Sequence, residues 1–521
     1  MDKRSFLKGA AALALSGVIC KILGAVYRVP LANTIGSEGM GNYQMAYPVY
    51  SLLIVISSAG VPIAVSKLVA EECAKGNYRG ANEVFKVSMT ALLAVGFVSF
   101  VILYAAARPI AMMIGLESAA FSLRMLSFSL IFVAAVSAYR GYLQGRQLMG
   151  ATSVSQISEQ IVRLTLGLYI ARMWMPKGPE YGSGGALLGV TLSELAGLLV
   201  IMGYYYAIRK DFAFKWTADK ARIKKILRSL WRLAFPVTVG ACATAMVGAI
   251  DSAVVLRVLT RAGYSTQNAS SLYGLLSGFV QPIVNMPAVI FSALSIAIVP
   301  ALSAEIAKKR KMSAAHHAEL AYKTAIMLAL PCSAGLFVLA RPILMVMFSS
   351  LSGEELAISA SLMKILAPAV FFMAIAQITT GILQGMGRTV YPVATMLLGS
   401  TVKLFLGMNL IGIGRINIMG AAIGTLICFI ITSVINTLLV MRYADVRINF
   451  KTMILPYFLS AAGMCAGVFA VERMIPNDIG TGLAVLAGVI IYAILLFVTK
   501  GIDKAYLGAL KTQLSKKRGM T

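Results

Sequence analysis

Apolar windows of about twenty residues recur along almost the whole chain, and no other feature restricts its fold as tightly. Their approximate limits are 10–35, 44–69, 85–107, 121–143, 151–174, 184–207, 233–256, 271–303, 321–344, 358–383, 390–411, 418–440, 452–474 and 481–499. A helix of that length crosses the hydrocarbon core of a bilayer. Backbone groups in lipid must be satisfied within the chain, and the windows lack the strict alternation of barrel strands, so the spans are helices. Composition agrees: 59% of residues are hydrophobic and 13% charged, against roughly 45–50% and 25% in soluble domains. The expected fold class is therefore an all-α polytopic membrane protein with about 14 transmembrane helices. The eighth window is too long for one straight span, and Pro282, Pro287 and Pro300 predict a kink or a re-entrant section there.

A net charge of +27 would suggest nucleic acid in a soluble chain, but its distribution gives it another meaning here. The basic residues gather in every second loop: Lys3, Arg4 and Lys8; Lys75, Arg79 and Lys86; Arg140 and Arg146; the connection Arg209 to Arg232; Lys308 to Lys311; Arg388; Arg442 and Arg447; and Lys516, Lys517 and Arg518. By the positive-inside rule both termini are cytoplasmic, as an even number of spans requires. The expected partner is the lipid bilayer, with no nucleic acid. The N-terminal KRSFLKGAAALAL resembles a twin-arginine export signal. Its apolar run continues past Lys21, so it is read as an uncleaved first span. Six cysteines without CxxC spacing predict neither a disulfide framework nor a metal site.

The basic connection near the middle suggests a lobe boundary, and repeats lie across it. Ala107-Arg108-Pro109-Ile110 recurs as Ala340-Arg341-Pro342-Ile343, Leu68 to Glu71 as Leu302 to Glu305, and Gly141-Tyr142-Leu143-Gln144-Gly145 as Gly381-Ile382-Leu383-Gln384-Gly385. Three matches in one order, at equivalent positions, predict two six-helix lobes of the same orientation, related by a pseudo-two-fold axis along the membrane normal. The expected domains are an N-lobe at 1–208, the basic connection at 209–232, a C-lobe at 233–441, and an extra helix pair with a basic tail at 442–521. Repeats around a midplane cavity predict alternating access. The repeated G-x-L-Q-G segments suit close helix packing and a turn at the cytoplasmic end.

Ionisable groups at membrane depth normally face a protein partner or a water-filled cavity. Lys21 and Arg28 are seven residues apart on the first span and share a face that no acidic residue of the span neutralises. They are the main candidates for binding an anionic group, the alternative being that Arg28 snorkels to the interface. Glu159 and Arg163, four apart, are expected to pair on one helix face as a lobe ion pair. Asp251 matches Arg28 in depth, which suggests an outer gate between them or a local pair with Arg257. Tyr43, Tyr47 and Tyr50 form a stripe that either packs or offers a sugar-stacking wall, with Gln44 beside Tyr47 as a further cavity candidate. No phosphate loop or H-E-x-x-H helix occurs. A catalytic or metal site is thus not expected, and the chain is read as a transporter rather than an enzyme.

The opening segment from Phe6 to Tyr50, the segment GVPIAVSKLVAE and the segment RGYLQGRQLMGATSVSQISEQIVRL resemble the stage V sporulation protein B group of polysaccharide-biosynthesis membrane proteins. That group lies in the superfamily of multidrug, oligosaccharidyl-lipid and polysaccharide flippases, and is related to the lipid II flippases and the MATE exporters. The resemblance implies a V-shaped pair of lobes in a bacterial cell membrane. It also implies export of an undecaprenyl-pyrophosphate-linked sugar for cell wall or spore cortex, with cell-wall synthesis enzymes as partners, and places Lys21 and Arg28 at or close to cavity arginines. A pyrophosphate needs charge-assisted donors. The membrane potential or a coupling ion would replace a cofactor. The alternative function is a cation-coupled multidrug exporter of the same superfamily.

Overall fold

The computed structural model describes residues 3–58, 60–209, 219–444, 453–499 and 501. The tail with Lys516, Lys517 and Arg518, together with Arg447 and residues 210–218 of the basic connection, lies outside the described residues. All regular structure among the described residues is helical. In chain order the helices are α1 (Lys3–Ser58), α2 (Val61–Ala74), α3 (Tyr78–Ala105), α4 (Ala107–Ile114), α5 (Ala119–Ser127), α6 (Ser129–Gly145), α7 (Met149–Val162), α8 (Leu168–Trp174), α9 (Pro179–Arg209) and α10 (Lys220–Arg261). They continue as α11 (Thr266–Gly274), α12 (Gln281–Asn285), α13 (Ala288–Ala307), α14 (Lys311–Val338), α15 (Ala340–Met347), α16 (Gly353–Gly385), α17 (Val390–Leu410), α18 (Met419–Ala444), α19 (Leu455–Met474) and α20 (Asp478–Val498). Two π-helical turns, Arg163–Gly167 and Leu275–Val280, join α7 to α8 and α11 to α12.

Eleven stretches among the described residues are long and apolar enough to cross a membrane, so the count of fourteen is not reproduced by that measure. One of them, Leu15–Ala74, contains both the first and second expected spans. They are separated at Gly36, whose φ of 65° breaks α1 where a side chain would be strained. The fifth window is divided by its π turn. The eighth is broken between Asn285 and Ala288, as its prolines predict, while Pro300 stays inside α13.

Helix ends follow ordinary capping chemistry. The Asp219 carboxylate caps α10 at the Arg222 amide, and Ser352 and Glu355 form a reciprocal capping box on α16. Apolar side chains then divide between packing and lipid. On α20, Leu486, Val489, Ile490, Ile494 and Phe497 are all more than half exposed, the surface that a hydrocarbon solvent calls for.

The repeat is visible in the helices themselves. The helices α3 and α14 are both 28 residues long, and each is followed by an eight-residue helix beginning at the Ala-Arg-Pro-Ile match. The G-x-L-Q-G glycines serve helix packing in both copies. A Cβ on Gly141 or Gly145 would press into Val65, Ser66 and Val69 of α2, and one on Gly381 or Gly385 into Ser295, Ile298 and Leu302 of α13.

The chain forms two compact units, one comprising residues up to Pro282 with Ile411–Ile418, the other Ile283–Leu410 with the remainder from Met419. This division falls later than the expected 209–232 connection because α10 and α11 pack against α1 to α3. Arg222 makes ion pairs with Glu83 at 2.5 Å and Glu72 at 3.7 Å. Gly60 lies against the Ala234 carbonyl, and Gly274 against the Ser37 carbonyl. In the second unit α19 and α20 pack on each other through Gly463, Gly467 and Gly488, and Tyr492 anchors α20 by donating to the Met327 carbonyl at 2.7 Å.

Candidate functional site

The candidate site lies in the first unit, where α1, α7 and α9 meet. Small and polar residues set the approach of α1 to α7: Ser16 donates to the Gln156 side-chain oxygen at 3.5 Å, and Gly24 lies opposite the Gln160 side chain. Further along, buried Tyr27 places its hydroxyl against Gly167, 2.9 Å from where a Cβ on that glycine would sit. On this helix Lys21 is exposed and Arg28 half-buried. Among the described residues, Arg28 has no carboxylate within salt-bridge distance.

The expected pair between Glu159 and Arg163 is not formed. Glu159 accepts from Arg140 of α6 and from Ser155 Oγ, and the Ser155 hydroxyl also donates to the Gly197 carbonyl at 3.0 Å. Arg163 instead reaches Glu194 of α9 at 3.4 Å. The helix is regular between Glu159 and Arg163, whose amide donates to the Glu159 carbonyl, and the π turn starts only at Arg163. The neighbouring helices therefore decide the partners: α6 presents Arg140 to Glu159 and α9 presents Glu194 to Arg163. Gly167 in the same turn meets Gly189 backbone to backbone, which draws α9 close enough to supply Glu194. Arg140 as partner escaped a reading that treated it as loop charge. The signal for α9 was present in its small-residue stripe of Gly182, Gly185, Gly189, Ser193 and Gly197.

The tyrosines form a continuous aromatic row. Tyr43 and Tyr47 stack with centroids 6.0 Å apart, and Tyr47 meets Tyr50 edge-on at 5.9 Å. Tyr43 and Tyr50 are buried, and Tyr50 accepts from Ser129 Oγ at 2.7 Å; Tyr47 is half-buried. Two of the three rings therefore pack, and Tyr47 keeps an accessible edge.

Gln44 is buried and donates to the Ser277 carbonyl at 2.6 Å, so its amide is engaged in joining α1 to the second π turn. Asp251 lies half-buried on α10 in Coulomb range of Tyr273. It makes no ion pair with Arg28 in this conformation, and Arg257 donates to the Met113 carbonyl. No group of three or more His, Cys, Asp or Glu side chains among the described residues is placed to hold a metal ion.

These positions fall within a segment, residues 6–305, that matches the family model described as polysaccharide biosynthesis protein, more than half of the chain. The chain belongs to that family. A MatE model matches residues 276–408. Stage V sporulation protein B of Bacillus subtilis (strain 168) is 29% identical over 519 residues, covering 97% of each chain. Lipid II flippase MurJ of the same organism is 26% identical over 477 residues, 87% of this chain and 86% of that protein. Among solved structures, lipid II flippase MurJ in an inward closed conformation superposes with a TM-score of 0.71 at 16% identity, over 93% of this chain and 98% of that one. An inward-facing multidrug resistance MATE transporter of the MOP superfamily gives 0.65 at 16% identity, over 82% and 94%. The fold is thus that of MurJ and the MATE transporters, and these relatives are flippases and transporters rather than enzymes. The chain is a multi-span helical membrane protein of the polysaccharide-biosynthesis family.

Proposed function

We propose that the protein is a flippase that moves an undecaprenyl-pyrophosphate-linked sugar from the inner to the outer leaflet by alternating access, in cell wall or spore cortex synthesis. The observation that carries this reading is the charge ledger of the first unit. Glu159 and Glu194 are each matched by an arginine, Arg140 and Arg163, whereas Arg28 has no carboxylate partner among the described residues. A group in this position favours an anionic cargo, and a pyrophosphate offers several acceptors to a guanidinium. Lys21, one face-repeat earlier, adds a second positive charge on the approach, and the accessible edge of Tyr47 suits a sugar ring. An inside-negative potential favours outward movement of negative charge by about 2.3 kcal/mol per charge per 100 mV, so ATP is not required. The basic bias of alternate loops supports cytoplasmic termini for this reading. The cation-coupled exporter is the weaker reading, because the two buried acids that would serve a coupling ion are already engaged by guanidinium groups.

The test is translocation of a lipid-linked sugar in proteoliposomes under an imposed potential, comparing wild type with Lys21→Ala and Arg28→Ala. Loss of flipping in both supports the reading. Flipping of no lipid, with uptake of cationic dyes instead, would replace it with the exporter.

A further inference from the structure

Arg163 is held more loosely than Arg140, whose Nε is likewise unpartnered but whose terminal nitrogen makes a close bond to Glu159. Its contact with Glu194 runs through one guanidinium nitrogen at 3.4 Å, which is long for a charge-assisted bond. Its Nε is buried and has no hydrogen-bond partner among the described residues. The Tyr27 hydroxyl is in the same condition, on a side chain only 3% exposed and lying against the turn that presents Arg163. Buried donors are almost always satisfied, so two orphans beside one π turn mark a place where an acceptor belongs. The surroundings are cationic and partly open: Arg28 follows Tyr27 on α1, Arg163 begins the π turn that the Tyr27 hydroxyl packs against, and Arg28 and Tyr47 retain accessible surface.

We propose that Arg163, assisted by the Tyr27 hydroxyl, is a second phosphate-binding residue of the site that Arg28 begins, with Glu194 as its exchangeable counter-ion. The ligand chemistry is a diphosphate, whose oxygens accept from Arg163 Nε, from the Tyr27 hydroxyl and from Arg28. Glu194 keeps Arg163 neutralised between arrivals, which lowers the cost of holding its charge at membrane depth. Two guanidinium groups on separate helices would then select a diphosphate over a monophosphate. This inference rests on the anionic-cargo reading above and extends it to a residue expected to be only a lobe ion pair.

The experiment is equilibrium binding to purified full-length protein in nanodiscs, with undecaprenyl diphosphate, undecaprenyl monophosphate and undecaprenol as probes and inorganic pyrophosphate as competitor. Each variant's unfolding midpoint is measured in parallel. The double variant Arg163→Gln with Glu194→Gln removes both charges together and is expected to keep the wild-type midpoint. It should lose about tenfold in diphosphate affinity, as expected for a lost charge-assisted contact, along with its preference over the monophosphate. Glu194→Gln alone should bind the diphosphate several-fold tighter, since it removes the carboxylate that competes for Arg163. Wild-type affinity and selectivity in the double variant would overturn the proposal, leaving Arg163 as the counter-ion of Glu194 and the function reading intact. Failure of wild type to prefer diphosphate lipid over undecaprenol would overturn both. Competition by inorganic pyrophosphate at the lipid's own affinity supports the phosphate site with a free diphosphate as ligand. Competition only in hundredfold excess supports it with the lipid.

Discussion

The two sequence repeats place the same helices around different chemistry. In the first, Arg140, Ser155 and Glu159 form a charged cluster against Gly197. The residues 240 positions later are Thr380, Thr395 and Gly399. There the cluster is neutral: Thr395 donates to Asn436 at 2.7 Å, and Asn436 donates to Thr380 at 3.5 Å. The Lys323–Glu319 pair of the second unit, by contrast, joins two partly exposed side chains on α14. The core beneath α19 and α20 is apolar, built from Ile326, Met453, Tyr457 and Leu496 among others. A single helical scaffold is thus used twice, and where the first copy places the ion-paired cluster of Arg140 and Glu159 the second places a neutral hydrogen-bonded one.

The largest effect that would sharpen this contrast comes from Arg140→Ala. It leaves Glu159 buried and unpaired, so about 3–5 kcal/mol of stability should be lost, seen as a marked fall in the unfolding midpoint. Replacing both partners, Arg140→Met with Glu159→Leu, should recover most of that loss. If the single variant unfolds like wild type, the cluster is not holding α6, α7 and α9 together.

The glycine contacts give the next effect. A Cβ on Gly145 would come within 2.6 Å of the Ser66 carbonyl, whereas one on Gly385 meets its nearest neighbour at 3.1 Å. Gly145→Ala should therefore cost about 1–3 kcal/mol and Gly385→Ala distinctly less. Equal costs would mean that the two copies pack alike at this junction. The smallest effect belongs to the neutral cluster, where Thr395→Val should cost about 1 kcal/mol, well below Arg140→Ala.

Much of this arrangement was readable beforehand. Hydrophobic windows placed the helices, and three weak matches predicted a repeat that α3, α4, α14 and α15 display in their lengths. The partner of Arg163 was not readable, because Glu159 at i−4 is a sound candidate within one helix and only the packing of α6 and α9 supplies the competing partners Arg140 and Glu194. The partner of Gln44 was not readable for a related reason: its neighbours in sequence are tyrosines, but its amide donates to the Ser277 carbonyl, more than two hundred residues away. Periodicity within one helix identifies faces, and only the packing of several helices decides what those faces meet.

The central claim is that the first repeat carries the charge that recognises cargo, and potential-driven translocation of lipid-linked sugar tests it most directly. Arg28→Gln in the first unit is compared with Lys403→Gln in the second, where Lys403 is the residue 240 positions beyond Arg163. The prediction is a fall of about tenfold or more for Arg28→Gln and near wild-type flipping for Lys403→Gln. Unchanged flipping in Arg28→Gln with loss in Lys403→Gln would contradict it and move recognition to the second repeat.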